Sequence, residues 1–302
     1  MSTDPIDAAL ADFLARSRFA SAGGVISDLD GTALHEHEGR LIIAPEVVAG
    51  LKALQANGRP VVLNTLRFPL NVLNTFGREW YELSSRPVPL VSLNGAIVGQ
   101  LDLDANGEPC FEELCASPLP ADTITATLDQ IEAMVKNGVD ELLLFHYPRD
   151  WKQGEIIWTP DADRVPHIAD KYASASLITA EPLAELRVRL ARQDVCMLFL
   201  LIETSADRLM AYQHARPASF ITAQGIDKLA GARLAAETLG FSLADSVGAG
   251  DTPMDSFLDG VGLSVHVGPM ELAFAGKVGT LKLASAHELG GLLSRLAALD
   301  VA

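Results

Sequence analysis

Three short apolar runs, each stopping abruptly at a polar residue, restrict this chain more than any other feature. Gly24-Val25-Ile26-Ser27 stops at Asp28, Val61-Val62-Leu63-Asn64 stops at Thr65, and Pro89 to Leu93 leads into Asn94-Gly95. Apolar runs without polar alternation are strands buried on both faces, the habit of parallel sheets covered by helices. The helices between them are legible too. From Pro45 to Asn57, the residues Val47, Leu51 and Leu54 share one face, and Asn57-Gly58 closes the helix. Ligands of such sheets sit outside the carboxyl ends of the strands, so Asp28, Thr65 and Asn94 are expected to converge on one edge.

Composition narrows the function classes. Among 302 residues, 49% are apolar and only 6% aromatic, which describes a core of aliphatic strands and alanine-rich helices. The formal net charge of −16 opposes nucleic acid and anionic membranes, and no cluster of Lys and Arg offsets it. Three cysteines, Cys110, Cys115 and Cys196, give neither a disulfide framework nor a zinc motif. The first twenty residues carry acids where a secretion signal needs bases, and no apolar stretch reaches membrane-spanning length. The expectation is a cytoplasmic protein with no nucleic-acid or membrane partner.

Residues 5–18 read as an amphipathic helix without chemistry of its own. Beyond Ile97 the character changes. A helix near Asp122 to Lys136, strands at Glu141 to Phe145 and Glu155 to Trp158, a helix near Pro182 to Arg192 and a strand from Val195 follow, none ending in a comparable polar motif. Residues 97–214 therefore read as an inserted domain, and residues 1–96 and 215–302 as the domain it interrupts.

Chemistry concentrates in Asp28-Leu29-Asp30-Gly31-Thr32. Residues i and i+2 of an extended strand end face the same side, and Gly31 permits a tight turn just after them. Two adjacent carboxylates repel, which calls for a hard cation with oxygen ligands, magnesium above all. A second candidate is Gly248-Ala249-Gly250-Asp251-Thr252-Pro253-Met254-Asp255, where Asp251 leaves a strand end and Asp255 follows a turn later. On its own this is equally a Gly-rich loop with an Asp cap and Pro in the first turn. A third is Lys228, which opens a helix whose inward face runs Leu229, Ala232, Ala236, Leu239. A cation there works against the helix dipole, although a solvated lysine is the plainer reading of that residue alone.

Taken in order, Asp-Leu-Asp-Gly-Thr, the strand-ending Thr65, Lys228 and Gly-Asp-x-x-x-Asp resemble the four motifs of the haloacid dehalogenase superfamily. An insertion after Ser92-Leu93-Asn94-Gly95-Ala96 resembles the subclass with a large α/β cap, the Cof-like and sugar phosphatases (type IIB). The resemblance implies an α/β fold with a Rossmann-like parallel-sheet core and an inserted α/β cap domain. It implies a magnesium-dependent phosphatase of a small phosphorylated substrate, a sugar or polyol phosphate. Asp28 would be the nucleophile and a metal ligand. Asp30 would be the acid/base, with its backbone carbonyl on the metal. Thr65 and Asn94 would hold the phosphoryl group, Lys228 would bridge it to the nucleophile, and Asp251 and Asp255 would serve the Mg2+.

Two positions depart from the family pattern. Leu66 stands where Thr-Gly-Arg is usual, which puts the turn and the seat of Arg67 in question, and Met254 replaces an Asn. They keep open a catalytically weak sensor of a phosphorylated ligand, beside a phosphosugar mutase with the same nucleophile. Arg67 is a further candidate to touch the substrate, and in the insertion Tyr147, Trp151 and Trp158 could stack on a sugar, though a hydrophobic core with an exposed hairpin tip is the slightly favoured reading. His35-Glu36-His37-Glu38 has ligand-like spacing, but it lacks a third ligand and reads as a solvated loop.

Overall fold

The computed structural model describes residues 4–77, 79–81, 87–139, 141–202 and 218–300. The chain opens with helices α1 (Pro5–Arg16) and α2 (Phe19–Ala22), then strands β1 (Val25–Ser27), β2 (Leu34–His37) and β3 (Arg40–Ile43). Helix α3 (Pro45–Ala56), β4 (Val61–Asn64), the single turn α4 (Pro69–Val72), β5 (Val88–Ser92), β6 (Ile97–Leu103) and β7 (Pro109–Ala116) follow. Next come α5 (Ala121–Lys136), β8 (Leu142–Pro148), β9 (Ile156–Trp158), α6 (Val165–Lys171), β10 (Leu177–Thr179), α7 (Leu183–Leu190), β11 (Val195–Ile202) and β12 (Ala218–Ile221). The chain closes with α8 (Lys228–Leu239), β13 (Val247–Gly250), β14 (Leu263–Val267), β15 (Gly279–Leu283) and α9 (Ala286–Asp300).

These elements form two compact units. The first comprises Met1–Arg67, Leu73–Cys115 and Ile226–Ala302, around an eight-stranded sheet in the order β15-β14-β13-β1-β4-β5-β6-β7. Strands β15 through β5 in that order run parallel, and β6 turns back antiparallel on β5. Pairing of Ser27 with both Leu63 and Ala249, and of Asn64 with Val91, sets the carboxyl ends of β1, β4, β13 and β5 level. Strands β1, β4 and β13 are buried at every position, as uninterrupted apolar runs require. Against Ile26, Val62 and Val91 lies the alanine face of α8, Ala232, Ala235 and Ala236, whose small side chains let the helix sit close.

The second unit, Phe68–Val72 and Ala116–Gly225, is built on a five-stranded sheet in the order β10-β9-β8-β11-β12. Its central strand β8 is buried at every residue, flanked antiparallel by β9 and β11. Leu128 and Ile131 of α5 and Leu186 and Leu190 of α7 cover one face, packed on Leu142, Leu144, Trp158 and Leu198.

The boundaries differ from those read in the sequence at 97 and 214. Strands β6 and β7 remain in the first sheet, because the tight turn Leu93–Gly95 folds β6 straight back onto β5. Strand β12 belongs to the second sheet, paired with β11. A hairpin return and a sheet exit look alike in a hydropathy pattern, which is why the insertion seemed to start about twenty residues early. Among the described residues no helix is long and apolar enough to cross a membrane.

Candidate active site

Asp28 follows β1 directly and is 4% exposed, its backbone N–H donating to the Ala249 carbonyl of β13 at 2.9 Å. The chain then turns through Gly31 at φ 76°. Another residue there would be strained by the positive φ, and its Cβ would stand 2.1 Å from Asp251 Oδ2 and push that carboxylate aside. Thr32 Oγ1 donates to Asp251 Oδ1 at 3.4 Å. The loop after β1 and the loop after β13 are thus locked together around carboxylates.

Lys228 is delivered by two glycines and a cap. Cβ atoms on Gly231 and Gly95 would collide with Gly95 Cα and the Asp227 carbonyl, so the first turn of α8 reaches the end of β5 only because both positions are bare. Asp227 caps the helix, accepting from Ala230 N–H at 2.7 Å and from Ser256 Oγ at 3.1 Å. Asn64 Nδ2 donates to the Lys228 carbonyl at 2.9 Å. Held this way, the Lys228 ammonium, 2% exposed at the residue level, donates to Asp28 Oδ1 and Asp255 Oδ1, each at 2.6 Å. Asp255, wholly buried, accepts through Oδ2 from the backbone N–H of Asp251 and Thr252, both at 2.9 Å. Gly250 makes room for that inward fold.

The charges do not balance. Ligand oxygens of Asp28, Asp251 and Asp255 lie within 4.8 Å of one another, with one ammonium among them. Burial pushes the Asp28 carboxyl up to about 7, against the pull of Lys228 and with Asp255 and Asp251 adding to the rise. Asp251 is raised as well, by burial first and Asp255 second. Burial would lower Lys228, but Asp28 and Asp255 outweigh it and hold the ammonium charged. A hard divalent cation with oxygen ligands fits this surplus of buried negative charge. Asp255 already has both oxygens bonded, so Asp28 and Asp251 are the better placed to take an ion.

Asp30 behaves differently. Its side chain is 49% exposed and turns to Arg67, which grips it with two bonds, Nε to Oδ2 at 2.7 Å and Nη2 to Oδ1 at 2.6 Å. Arg67 also lies 5.3 Å from the Phe76 ring centre. Its carbonyl accepts from Ser92 Oγ at 2.6 Å, and its N–H donates to Thr65 Oγ1 at 3.1 Å. Leu66 keeps an ordinary negative φ, so its Cβ strains nothing and the turn places Arg67 on Asp30. Thr65 is buried, and Asn94 is half-buried in the left-handed region at φ 56°.

The structure therefore brings Asp28, Asp251, Asp255 and Lys228 into one cluster, and joins Asp30, Arg67 and Thr65 beside the same strand ends. Asn64, Ser92, Asp227 and Ser256 were missed as supporting residues. Only Asn64 carried a sequence signal, a buried amide closing an apolar strand. In the second unit Trp158 is 1% exposed, its Nε1–H on the Glu181 carbonyl and its ring in the core. Tyr147 is buried with its hydroxyl donating to Glu155 Oε2 at 2.6 Å, and burial drives the phenol well above its usual range. Trp151 is half-buried beneath the Lys152 ammonium.

Residues 25–270 match the family model of haloacid dehalogenase-like hydrolases, and the chain belongs to that family. Solved structures share its fold. BT1666, a haloalkanoate-superfamily phosphatase from Bacteroides thetaiotaomicron, is 16% identical with a TM-score of 0.62, covering 94% of this chain and 97% of its own. The subclass IIB sugar phosphatase BT4131 is 16% identical with a TM-score of 0.63, covering 93% and 100%. TM0651 from Thermotoga maritima is 18% identical with a TM-score of 0.60, covering 91% and 97%. No curated protein matches the sequence.

Proposed function

We propose that this chain is a magnesium-dependent phosphatase of a small sugar or polyol phosphate, working through an aspartyl-phosphate on Asp28. The observation that carries the reading is Lys228, a buried ammonium fixed between Asp28 and Asp255 with Asp251 alongside. Magnesium bound by Asp28 and Asp251 would supply positive charge to the phosphoryl oxygens. Asp28 attacks phosphorus with a carboxylate oxygen as the P–O bond to the leaving group breaks. Asp30 gives its proton to the departing oxygen. Water then attacks the phosphorus of the aspartyl-phosphate, Asp30 takes a proton from it, and the carboxylate of Asp28 is released with inorganic phosphate. The substrate class is supported by the inserted α/β unit and by the likeness to a sugar phosphatase of subclass IIB.

Asp30 provides the test, since Asn at that position can neither give nor take the proton. With magnesium and an activated aryl phosphate, whose leaving group needs little acid help, Asp30→Asn should release about one aryl alcohol per site and then stall. Added mass should appear on Asp28. A linear time course with unmodified Asp28 would refute the division of labour. In wild type, a panel of phosphorylated sugars, polyols and nucleotides led by nucleotides would refute the substrate class.

A further inference from the structure

We propose that His35, His37 and His287, with Glu46 behind His287, form a second metal site that takes zinc or a similar late first-row divalent ion. The ion would staple the β2–β3 hairpin to α9. This site is independent of the carboxylate cluster and of the phosphatase reading. His35 and His37 are two residues apart on β2, so they share one face of the hairpin. The ligand that their spacing lacked comes from the other end of the chain. Helices α3 and α9 approach until a Cβ on Gly290 would meet the Glu46 backbone at 2.3 Å and one on Gly50 would meet Leu293 Cβ at 2.5 Å. That bare crossing sets His287, in the first turn of α9, beside Glu46, in the first turn of α3.

His287 Nδ1 lies 2.8 Å from Glu46 Oε2. An imidazole that donates Nδ1–H to a carboxylate is held in the tautomer whose Nε2 lone pair is free, and this is the usual orientation of a zinc-ligating histidine. The His35 ring stands 4.9 Å from the His287 ring and 6.2 Å from the His37 ring. Two imidazoles on one tetrahedral zinc, with Zn–N near 2.0–2.1 Å, have ring centres roughly 5 Å apart. His35 Nδ1 is buried without a hydrogen-bond partner among the described residues. A desolvated nitrogen left unpaired in a folded chain calls for an occupant. The carboxylates alone already have three ligand atoms within 4.8 Å. The exposed His37, with Arg40 across the hairpin from it, must turn inward to complete the histidine site. Nitrogen ligands select zinc over magnesium, as the oxygen cluster selects the reverse.

Cobalt(II) is the probe, because tetrahedral nitrogen-ligated cobalt absorbs intensely in the visible and octahedral oxygen-ligated cobalt weakly. Untagged wild-type chain should develop intense bands at one cobalt per chain, and one equivalent of zinc should bleach them. Asp251→Asn should keep the bands. His35→Phe and His287→Phe, which preserve ring packing, should lose them, and Glu46→Gln should bind zinc about 10–100-fold more weakly. Zinc should raise the Tm of wild type and not of His287→Phe. Bands absent from wild type, retained in the His35→Phe/His287→Phe double variant, or abolished by Asp251→Asn would each overturn the site.

Discussion

Asp28 and Asp30 are two residues apart and have opposite surroundings. Asp28 is buried, shares one ammonium with Asp255, and is pushed up to about 7. Asp30 is half-exposed and held by a guanidinium that is itself partly solvated. The buried side of the site is interlocked, so that each charge depends on the others for its place. On the open side, the Asp30 carboxylate is half in solvent and is gripped by Arg67. A nucleophile needs fixed geometry, whereas a group that gives and then takes a proton needs access to a leaving group and to water. The difference between the two aspartates fits the roles proposed for them.

The largest effect should come from removing the proposed nucleophile. Asp28→Asn nearly preserves size and can still accept from Lys228, and it should lower phosphate release by roughly 10⁴-fold or more while leaving the circular dichroism unchanged. Retention of a tenth of wild-type turnover would mean that Asp28 does not attack phosphorus. Next is Lys228→Met, which leaves two buried carboxylates without their cation. Losing one partner of a buried pair costs about 3–5 kcal/mol, so denaturant midpoints should drop steeply. A stability within 1 kcal/mol of wild type would show that the buried side is not interlocked.

The third effect depends on pH. A carboxyl whose folded pKa is raised from the ordinary 3.8 to about 7 binds its proton more tightly in the folded chain. Its contribution to stability is full below about pH 4 and is lost as the pH rises through 7. Metal-free wild type should therefore lose stability relative to Asp28→Asn between pH 4.5 and 7.5, by about 3 kcal/mol. Millimolar magnesium should restore it in wild type and much less in the variant. Parallel stability curves for the two proteins would place the charge surplus elsewhere.

The same contrast explains what the sequence disclosed. Asp28, Asp251 and Thr65 were legible as positions because strand ends in a parallel sheet are fixed by hydropathy, and the motif order supplied the roles proposed for them. Lys228 was ambiguous, since its significance lies in the bare contact of Gly95 with Gly231, which joins residues far apart in the chain. The division at 97 was misplaced because β6 is as apolar as a buried crossover strand would be. The third histidine was out of sight for the same reason as Lys228. His287 is about 250 residues from His35, and only the helix crossing at Gly50 and Gly290 brings them together.

Arg67 should show the smallest effect and the most diagnostic one. It stands beyond a leucine where the family pattern has glycine, and its guanidinium grips Asp30. The Asp30 end of the pair is 49% exposed, so the ion pair itself contributes only about 0–1 kcal/mol, and Arg67→Ala, which also gives up the contact with Phe76, should lower the Tm by a few degrees. Its catalytic effect depends on what the guanidinium does. As the residue that positions Asp30, its loss should lower kcat about tenfold for an alkyl phosphate and much less for an activated aryl phosphate, with KM little changed. As a substrate ligand, its loss should raise KM for both esters alike. Arg67→Lys retains the charge without the two-pronged grip, so a positioning role predicts poor rescue by lysine and a simple electrostatic role predicts good rescue. A rise in KM equal for both esters, rescued by lysine, would move Arg67 from the acid/base to the substrate and remove the contrast between the two aspartates at its open end.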